Sequence, residues 1–132
     1  MFTIYFMESI FNFGQNSISM REQVSALISD LKNGSVAFAD VIKFIESQYT
    51  HTPTAFKNGE AYNEETQNQG SAKVFAFAQL NQLDQEDTLQ LFAEHYKAVL
   101  DTPDGTDHRN IRQFMANGWA GIAFEGEPLT EK

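Results

Sequence analysis

The sequence has 132 residues, 42% of them hydrophobic, with no cysteine and a formal net charge of -9 at pH 7. This length predicts one domain whose core is large enough to fold without metals or disulfides. The absence of cysteine excludes thiolate catalysis and cysteine-based zinc sites. The acidic balance disfavours nucleic acids and anionic membranes as partners, because both are bound by basic surfaces. No apolar run approaches the roughly 20 residues that span a bilayer, so we expect no membrane insertion.

Residues 1–19 contain several aromatic side chains but no lysine or arginine. A secretory signal peptide begins with basic residues, so this segment does not match one. Three interpretations stay open: an element that packs on the domain, an extension that precedes it, or a segment recognised by a secretion system. We expect a single domain at residues 20–126, followed by a frayed C-terminal tail at residues 127–132.

Two amphipathic helices are predicted at the start of the domain. Ser19 and Glu22 form a capping-box pattern, which marks a helix start, and Asn33-Gly34 marks the end of that helix. Ser35 is predicted to cap a second helix, whose apolar positions fall on one face across residues 38–49. The short glycine-containing connection predicts that the two helices form an antiparallel pair.

The helical periodicity then stops, and residues 55–62 have the pattern of a small β-hairpin. Asn58-Gly59 is typical of a type I′ turn, and Phe56 and Tyr62 are expected to pack on the helices. Residues 63–70 are polar and are predicted to form an exposed loop.

Two more helices are predicted in the second half of the chain. The first is capped by Ser71 and contains the apolar run at residues 74–78. The second is one long helix that opens with acidic residues near Asp84 and continues to Leu100. Residues 119–124 are expected to form a short strand or extended segment. Together these elements predict a mainly α, compact single-domain fold that could include a small β-hairpin, with an α+β fold as the alternative.

The segment Thr102–Arg112 concentrates turn formers, a helix start, a histidine and two arginines. Its first half predicts a chain reversal, and either Thr106 or Asp107 is predicted to be the N-cap of the next helix. One hypothesis is an enzyme in which His108 acts as general acid or base, with either Asp107 or Asp104 orienting it. The ligand-binding candidates, which would hold an anionic group, are Asn58, Lys73, Arg109, Asn110 and Arg112.

Each candidate also has a structural interpretation. The run Asp-His-Arg-Asn at residues 107–110 is typical of a capped helix start, and Asn58 is typical of a hairpin turn. No nucleophile elbow, phosphate loop or metalloprotease motif is present, so no catalytic residue is assigned. The histidines at positions 51, 95 and 108 lack metal-ligand spacing, and His95 is interpreted as a surface or boundary residue. The sequence therefore predicts no metal and no cofactor, and it does not indicate the oligomeric state.

Four segments carry a family resemblance: YTHTPTAFKNG at 49–59, NQGSAKVFAFA at 68–78, Asp87-Thr-Leu at 87–89, and residues 102–118 followed by Trp119-Ala-Gly. They resemble the HopJ type III effector family. The family tends to have cysteine where this chain has Ala72, so the resemblance carries no thiol role here.

The resemblance implies a protein associated with type III secretion, although similar proteins occur in bacteria of other lifestyles and in photosynthetic eukaryotes. It implies no catalytic mechanism that can be assigned residue by residue. We expect a HopJ-like protein that binds a host protein or a small anionic ligand, located in the cytoplasm, with secretion through a type III system as the further expectation. The alternative is an intracellular housekeeping enzyme or small-ligand-binding protein with a His/Arg site.

Overall fold

The computed structural model describes residues 19–132, which contain six α-helices and two small antiparallel sheets. The helices are α1 (Met20–Lys32), α2 (Phe38–Gln48), α3 (Gln69–Leu80), α4 (Gln85–Gln90), α5 (Glu94–Asp101) and α6 (Arg109–Asn117). The strands are β1 (Tyr49–His51), β2 (Phe56–Asn58), β3 (Ala61–Asn63), β4 (Ile122–Phe124) and β5 (Leu129–Glu131), and a 3-10 helix at Gly118–Gly121 precedes β4. The predicted mainly α fold with a small β component is confirmed. The interpretations of residues 1–18 concern a part of the chain outside the described residues.

The start and end of α1 are confirmed. The Ser19 hydroxyl accepts a hydrogen bond from the Glu22 backbone N–H, and the Glu22 carboxylate accepts one from the Ser19 backbone N–H, both at 3.1 Å. Gly34 follows the C-cap with a φ of +75°, a conformation that glycine adopts without strain. This helix therefore begins and ends where its local sequence signals stand.

The predicted cap of α2 is wrong. The N-cap residue is Ala37 instead of Ser35, and the Ala37 backbone N–H donates to Oδ2 of Asp40 at 3.1 Å. Glu94 Oε1 accepts a second hydrogen bond, from the Phe38 backbone N–H at 2.8 Å. Two carboxylates thus satisfy the helix start, and one of them comes from α5.

The antiparallel pairing of α1 with α2 stays a prediction, because each of them packs most closely on another helix. The principal helical neighbour of α1 is α4, and that of α2 is α3. The reason lies in α3, whose residues 74–78 are all buried. This buried run gives α2 a continuous apolar surface to pack on.

Helix α3 is the centre of the core. The prediction of a helix here is confirmed, although its N-cap is Asn68, with a left-handed backbone, instead of Ser71. The side chains of Phe75 and Phe77 are fully buried. Phe75 meets the rings of four other aromatic residues from different elements: Phe56, Phe92, Phe114 and Trp119.

The predicted hairpin exists as β2 and β3, but its turn lies one residue later. Asn58 pairs with Ala61, so the two loop residues are Gly59-Glu60. Asn58 is therefore a strand residue that faces inward, and Asn63 faces the same side with 2% exposure, in contrast to the exposed loop expected there. Phe56 is buried as predicted, whereas Tyr62 is 50% exposed because alternation points it to solvent.

The single long helix predicted after Asp84 is wrong, because the chain breaks between α4 and α5. Ala93 has a φ of 52°, which a continuous helix does not allow. Leu91 and Phe92 just before it are buried. The break turns these two apolar side chains into the core and gives α5 a new direction.

The C-terminal residues belong to the fold. Strand β4 pairs with β2, which confirms a short strand within residues 119–124. Strand β5 pairs with β1, so the frayed tail expected at residues 127–132 is wrong. The Pro128 carbonyl oxygen accepts hydrogen bonds from the backbone N–H of Thr52 at 2.9 Å and from Nδ1 of His51 at 3.0 Å. Burial is the main cause that lowers the pKa of His51, which favours the neutral ring in this position.

Among the described helices, none is long and apolar enough to cross a membrane.

Candidate ligand-binding site

Helix α6 begins within the turn-rich segment Thr102–Arg112. Its N-cap is His108, whose backbone is left-handed with φ 50° and ψ 49°, so the predicted N-cap at Thr106 or Asp107 is wrong. The Asp107 carboxylate instead accepts a hydrogen bond of 2.8 Å from Nη2 of Arg112. That bond is the main cause that lowers the pKa of Asp107. The acid expected to orient His108 therefore has an arginine as its partner.

Arg112 holds the loop that precedes α6. Its Nε donates to the Asp107 carbonyl oxygen at 2.6 Å, and its Nη1 donates to the Thr102 carbonyl oxygen at 2.9 Å. A side chain at Gly105 would bring its Cβ to 2.6 Å from Nη2 of Arg112, so it would displace the guanidinium from its present position. The planar fork of Arg112 is thus directed at the backbone of its own loop.

Four asparagine side chains form a network beneath the starts of α3 and α6: Asn58, Asn63, Asn68 and Asn110. Asn110 Oδ1 accepts from Nδ2 of Asn58 at 3.0 Å and from Nδ2 of Asn63 at 3.2 Å. Asn63 Oδ1 accepts from Nδ2 of Asn110 at 2.9 Å and from Nδ2 of Asn68 at 2.7 Å. The network connects the hairpin to the starts of two helices. Two of the ligand-binding candidates, Asn58 and Asn110, are therefore hydrogen-bonded to each other.

Lys73 lies apart from the other candidates. Its Nζ is 2.8 Å from Oε2 of Glu46, an ion pair that joins α3 to α2. The structure therefore does not bring Lys73 together with His108 and Arg109.

A surface depression of about 370 Å³ lies beside the start of α6, between α2, α3, α5 and α6. We call it the histidine–arginine depression, and the side chains that define it are His95, His108, Arg109, Phe38, Phe92 and Ser71. The ring centroids of His95 and His108 are 5.1 Å apart with an interplanar angle of 35°. Phe38 meets the His95 ring edge-on at 4.9 Å, so apolar and titratable groups share one concave surface.

The charged groups around the depression are few. Arg109 is exposed, and its Nη2 donates to the Glu60 carbonyl oxygen at 3.1 Å, which fixes the guanidinium at the rim. Glu94 Oε2 is 4.0 Å from Nε2 of His95, while its other oxygen accepts from the first N–H of α2. The cation at the rim and the acid beside His95 are thus both held by contacts with neighbouring elements.

Two helix N-termini also open towards the depression. Neither Asn68 at the start of α3 nor His108 at the start of α6 caps its helix through its side chain, and neither first turn contains an acid. By contrast, Ser19 caps α1 and Asp84 caps α4. Uncapped first-turn N–H groups carry partial positive charge, so both starts favour an anion nearby.

The comparisons with known proteins agree with this fold. A model of the HopJ type III effector protein family matches residues 24–129. The chain belongs to this family. The chain is also similar to a crystal structure described as "unknown function protein VPA0580". The two are 42% identical and superpose with a TM-score of 0.79, and the match covers 88% of this chain and 96% of that one. No curated protein matches the chain.

The HopJ match extends through residue 129, beyond the predicted domain end at residue 126. That difference agrees with β5, where Leu129 is 5% exposed and packs in the core. Within residues 19–132, no group of three or more histidine, cysteine or acidic side chains could hold a metal ion.

Three residues of the depression are not among the ligand-binding candidates that the sequence predicts: His95, Phe38 and Asn68. His95 was placed on a continuous helix, where it has no reason to approach His108. The break at Ala93 changes the direction of α5. The residues next to Ala93 include no glycine or proline, which are the usual indicators of such a break. Asn68 could have been found as an N-cap, because asparagine is a preferred residue at that position.

Proposed function

We propose that this HopJ-family protein binds a small anionic ligand in the histidine–arginine depression. The observation that carries the proposal is the convergence of His95, His108 and Arg109 on one concave surface. Histidine and arginine side chains donate hydrogen bonds to carboxylate and phosphate oxygens, and arginine presents several donors in a fixed plane. In a protein with a net charge of -9, such a local cluster of donors is unusual enough to suggest a dedicated role.

The apolar part of the depression supports a small organic ligand. Phe38 and Phe92 stack with ring centroids 5.9 Å apart, and Ile111 lies on the same lining. A pocket with apolar walls and a few polar groups is the usual form of a small-molecule site. The volume of about 370 Å³ suits a ligand of modest size.

Binding of inorganic phosphate, followed by amide NMR titration, tests the proposal. We expect shifts at Gly70, Ser71 and Asn110, and an increase in Kd of about tenfold in an Arg109→Gln variant, because one charged donor is lost. The matched control is Lys57→Gln, which removes an exposed cation of β2 and should leave Kd unchanged. Shifts confined to other surfaces, or equal Kd values for Arg109→Gln and the parent, would contradict the proposal.

Family membership supports a second proposal, that the protein leaves the bacterial cell through a type III system and acts on a host component. We expect its extracellular amount to fall strongly in a strain whose secretion apparatus is inactivated. A variant lacking residues 1–18 tests whether that segment carries the export signal. Equal extracellular amounts with and without the apparatus would contradict the export proposal and leave the ligand site untouched.

A further inference from the structure

The two histidines of the depression come from different helices, and their rings lie against each other at an interplanar angle of 35°. His95 belongs to α5, and His108 is the N-cap of α6, with ring centroids 5.1 Å apart. His108 holds this place with a φ of 50°, a left-handed backbone that costs a non-glycine residue some strain. Strain of this kind persists only where the surroundings fix it, so the backbone at the start of α6 is a defined feature of the fold.

The fixed charges that face the two rings cancel. Arg109 contributes +1 and Glu94 contributes -1, and the Asp107 carboxylate beside His108 is bonded to Arg112. The lining residues from α2 and α3 are uncharged, and the nearest cation of α3, Lys73, is paired with Glu46. With both imidazoles neutral the local sum is zero, and with both protonated it is +2.

Building on the proposed function, we infer that the ligand is a small phosphomonoester whose dianionic phosphate binds between His95, His108 and Arg109 as the histidine pair takes up protons. Two imidazolium ions this close repel each other, and a dianion between them removes that repulsion. Protonation of the pair and binding of the anion therefore strengthen each other, as linked equilibria must. Histidine is the side chain that ordinarily changes its charge between pH 5 and 8, so a test of the linkage must span that range.

A phosphate fits this arrangement better than a carboxylate does. The two imidazoles and the guanidinium are three separate donors, and a tetrahedral phosphate has an oxygen for each of them. A carboxylate has only two oxygens in one plane. The apolar wall at Phe38 and Phe92 then takes the organic part of a monoester, which inorganic phosphate lacks.

Isothermal titration calorimetry with inorganic sulfate at pH 6.0 and pH 8.0 tests the proton linkage. Sulfate keeps its two charges throughout this range, so any change in Kd reports protonation of the protein. We expect binding about tenfold tighter at pH 6.0, because two positive charges are added at the site. Repeating the titration in buffers of different ionisation enthalpy should show net proton uptake on binding.

Three variants assign the protons to residues. His95→Gln and His108→Asn should each reduce the pH effect, and the double variant should abolish it; asparagine tolerates the left-handed backbone at position 108. His51→Gln is the matched control, because His51 bonds to Pro128 and lies outside the depression, and it should keep the full effect. A double variant with the parental pH effect would overturn the inference.

The ligand class has its own test. At pH 8.0, where inorganic phosphate and phenyl phosphate are both dianions, phenyl phosphate should bind at least several-fold more tightly, since its ring adds apolar contact. Equal Kd values would overturn the assignment to a monoester. Sulfate binding of the same strength at both pH values would overturn the proton linkage while leaving anion binding intact. Binding of none of these anions at either pH would overturn the proposed function itself.

Discussion

Replacing Phe75 with alanine is expected to lower the free energy of unfolding by about 4 kcal/mol, the largest single effect in this fold. Phe75 is fully buried, and its ring centroid lies 4.9 Å from that of Phe114 and 5.4 Å from that of Phe92. These rings belong to α6 and to the break between α4 and α5, so one side chain holds several elements together. The substitution removes the aromatic contacts and leaves a cavity that close-packed neighbours cannot fill.

Urea denaturation of the parent protein and the Phe75→Ala variant measures this loss of unfolding free energy. Leu80→Ala is the matched control, because Leu80 lies on the same helix but is 56% exposed. It should cost less than about 1 kcal/mol, since little apolar area is removed from the core. If the two substitutions cost the same, α3 is not the centre of the core.

Replacing Asn110 with alanine is expected to cost about 3 kcal/mol. The change removes the acceptor of two buried amide groups and the donor to Asn63 Oδ1. Because Asn58 and Asn63 are 0% and 2% exposed, water cannot replace the lost partners without opening the hairpin. The hydrogen bond from Asn58 to the Asn110 carbonyl oxygen survives, which keeps the cost below that of losing the whole network.

Thermal unfolding gives the measurement, and a fall in Tm of about 10 °C corresponds to this free energy. Asn33→Ala makes the same chemical change at the exposed C-cap of α1 and should lower Tm by no more than about 2 °C. An Asn110→Ala protein as stable as Asn33→Ala would show that the network contributes little.

The asparagine network and the histidine–arginine depression share two residues. Asn68 and Asn110 line the depression and also bond to Asn63 underneath it. Loss of the network should therefore displace the starts of α3 and α6, from which the depression is built. We expect Asn110→Ala to weaken anion binding as well as stability. Phe75→Ala also reaches the lining, because the Phe75 ring packs against Phe92, so it serves only as a test of the core.

Much of the helical fold could be predicted from local signals. The capping box of α1 and the apolar run of α3 each need only nearby residues, and both predictions are confirmed. The resemblance to the HopJ family was also readable from short segments, and the family match confirms it. The hairpin turn was displaced by one residue, because Asn58-Gly59 and Gly59-Glu60 both offer the glycine that the turn requires.

The sequence by itself determined the helical class, the buried run of α3 and the presence of a helix after the turn-rich segment at residues 102–112. Only the tertiary structure decided what each residue of that segment does. Arg112 and Arg109 are chemically identical in the sequence, yet one is bonded to its own loop and the other lies at the rim of the depression. The partner of His108 is His95, which the break at Ala93 brings to it from another helix. Such long-range contacts follow from how the elements pack, and no local pattern encodes them.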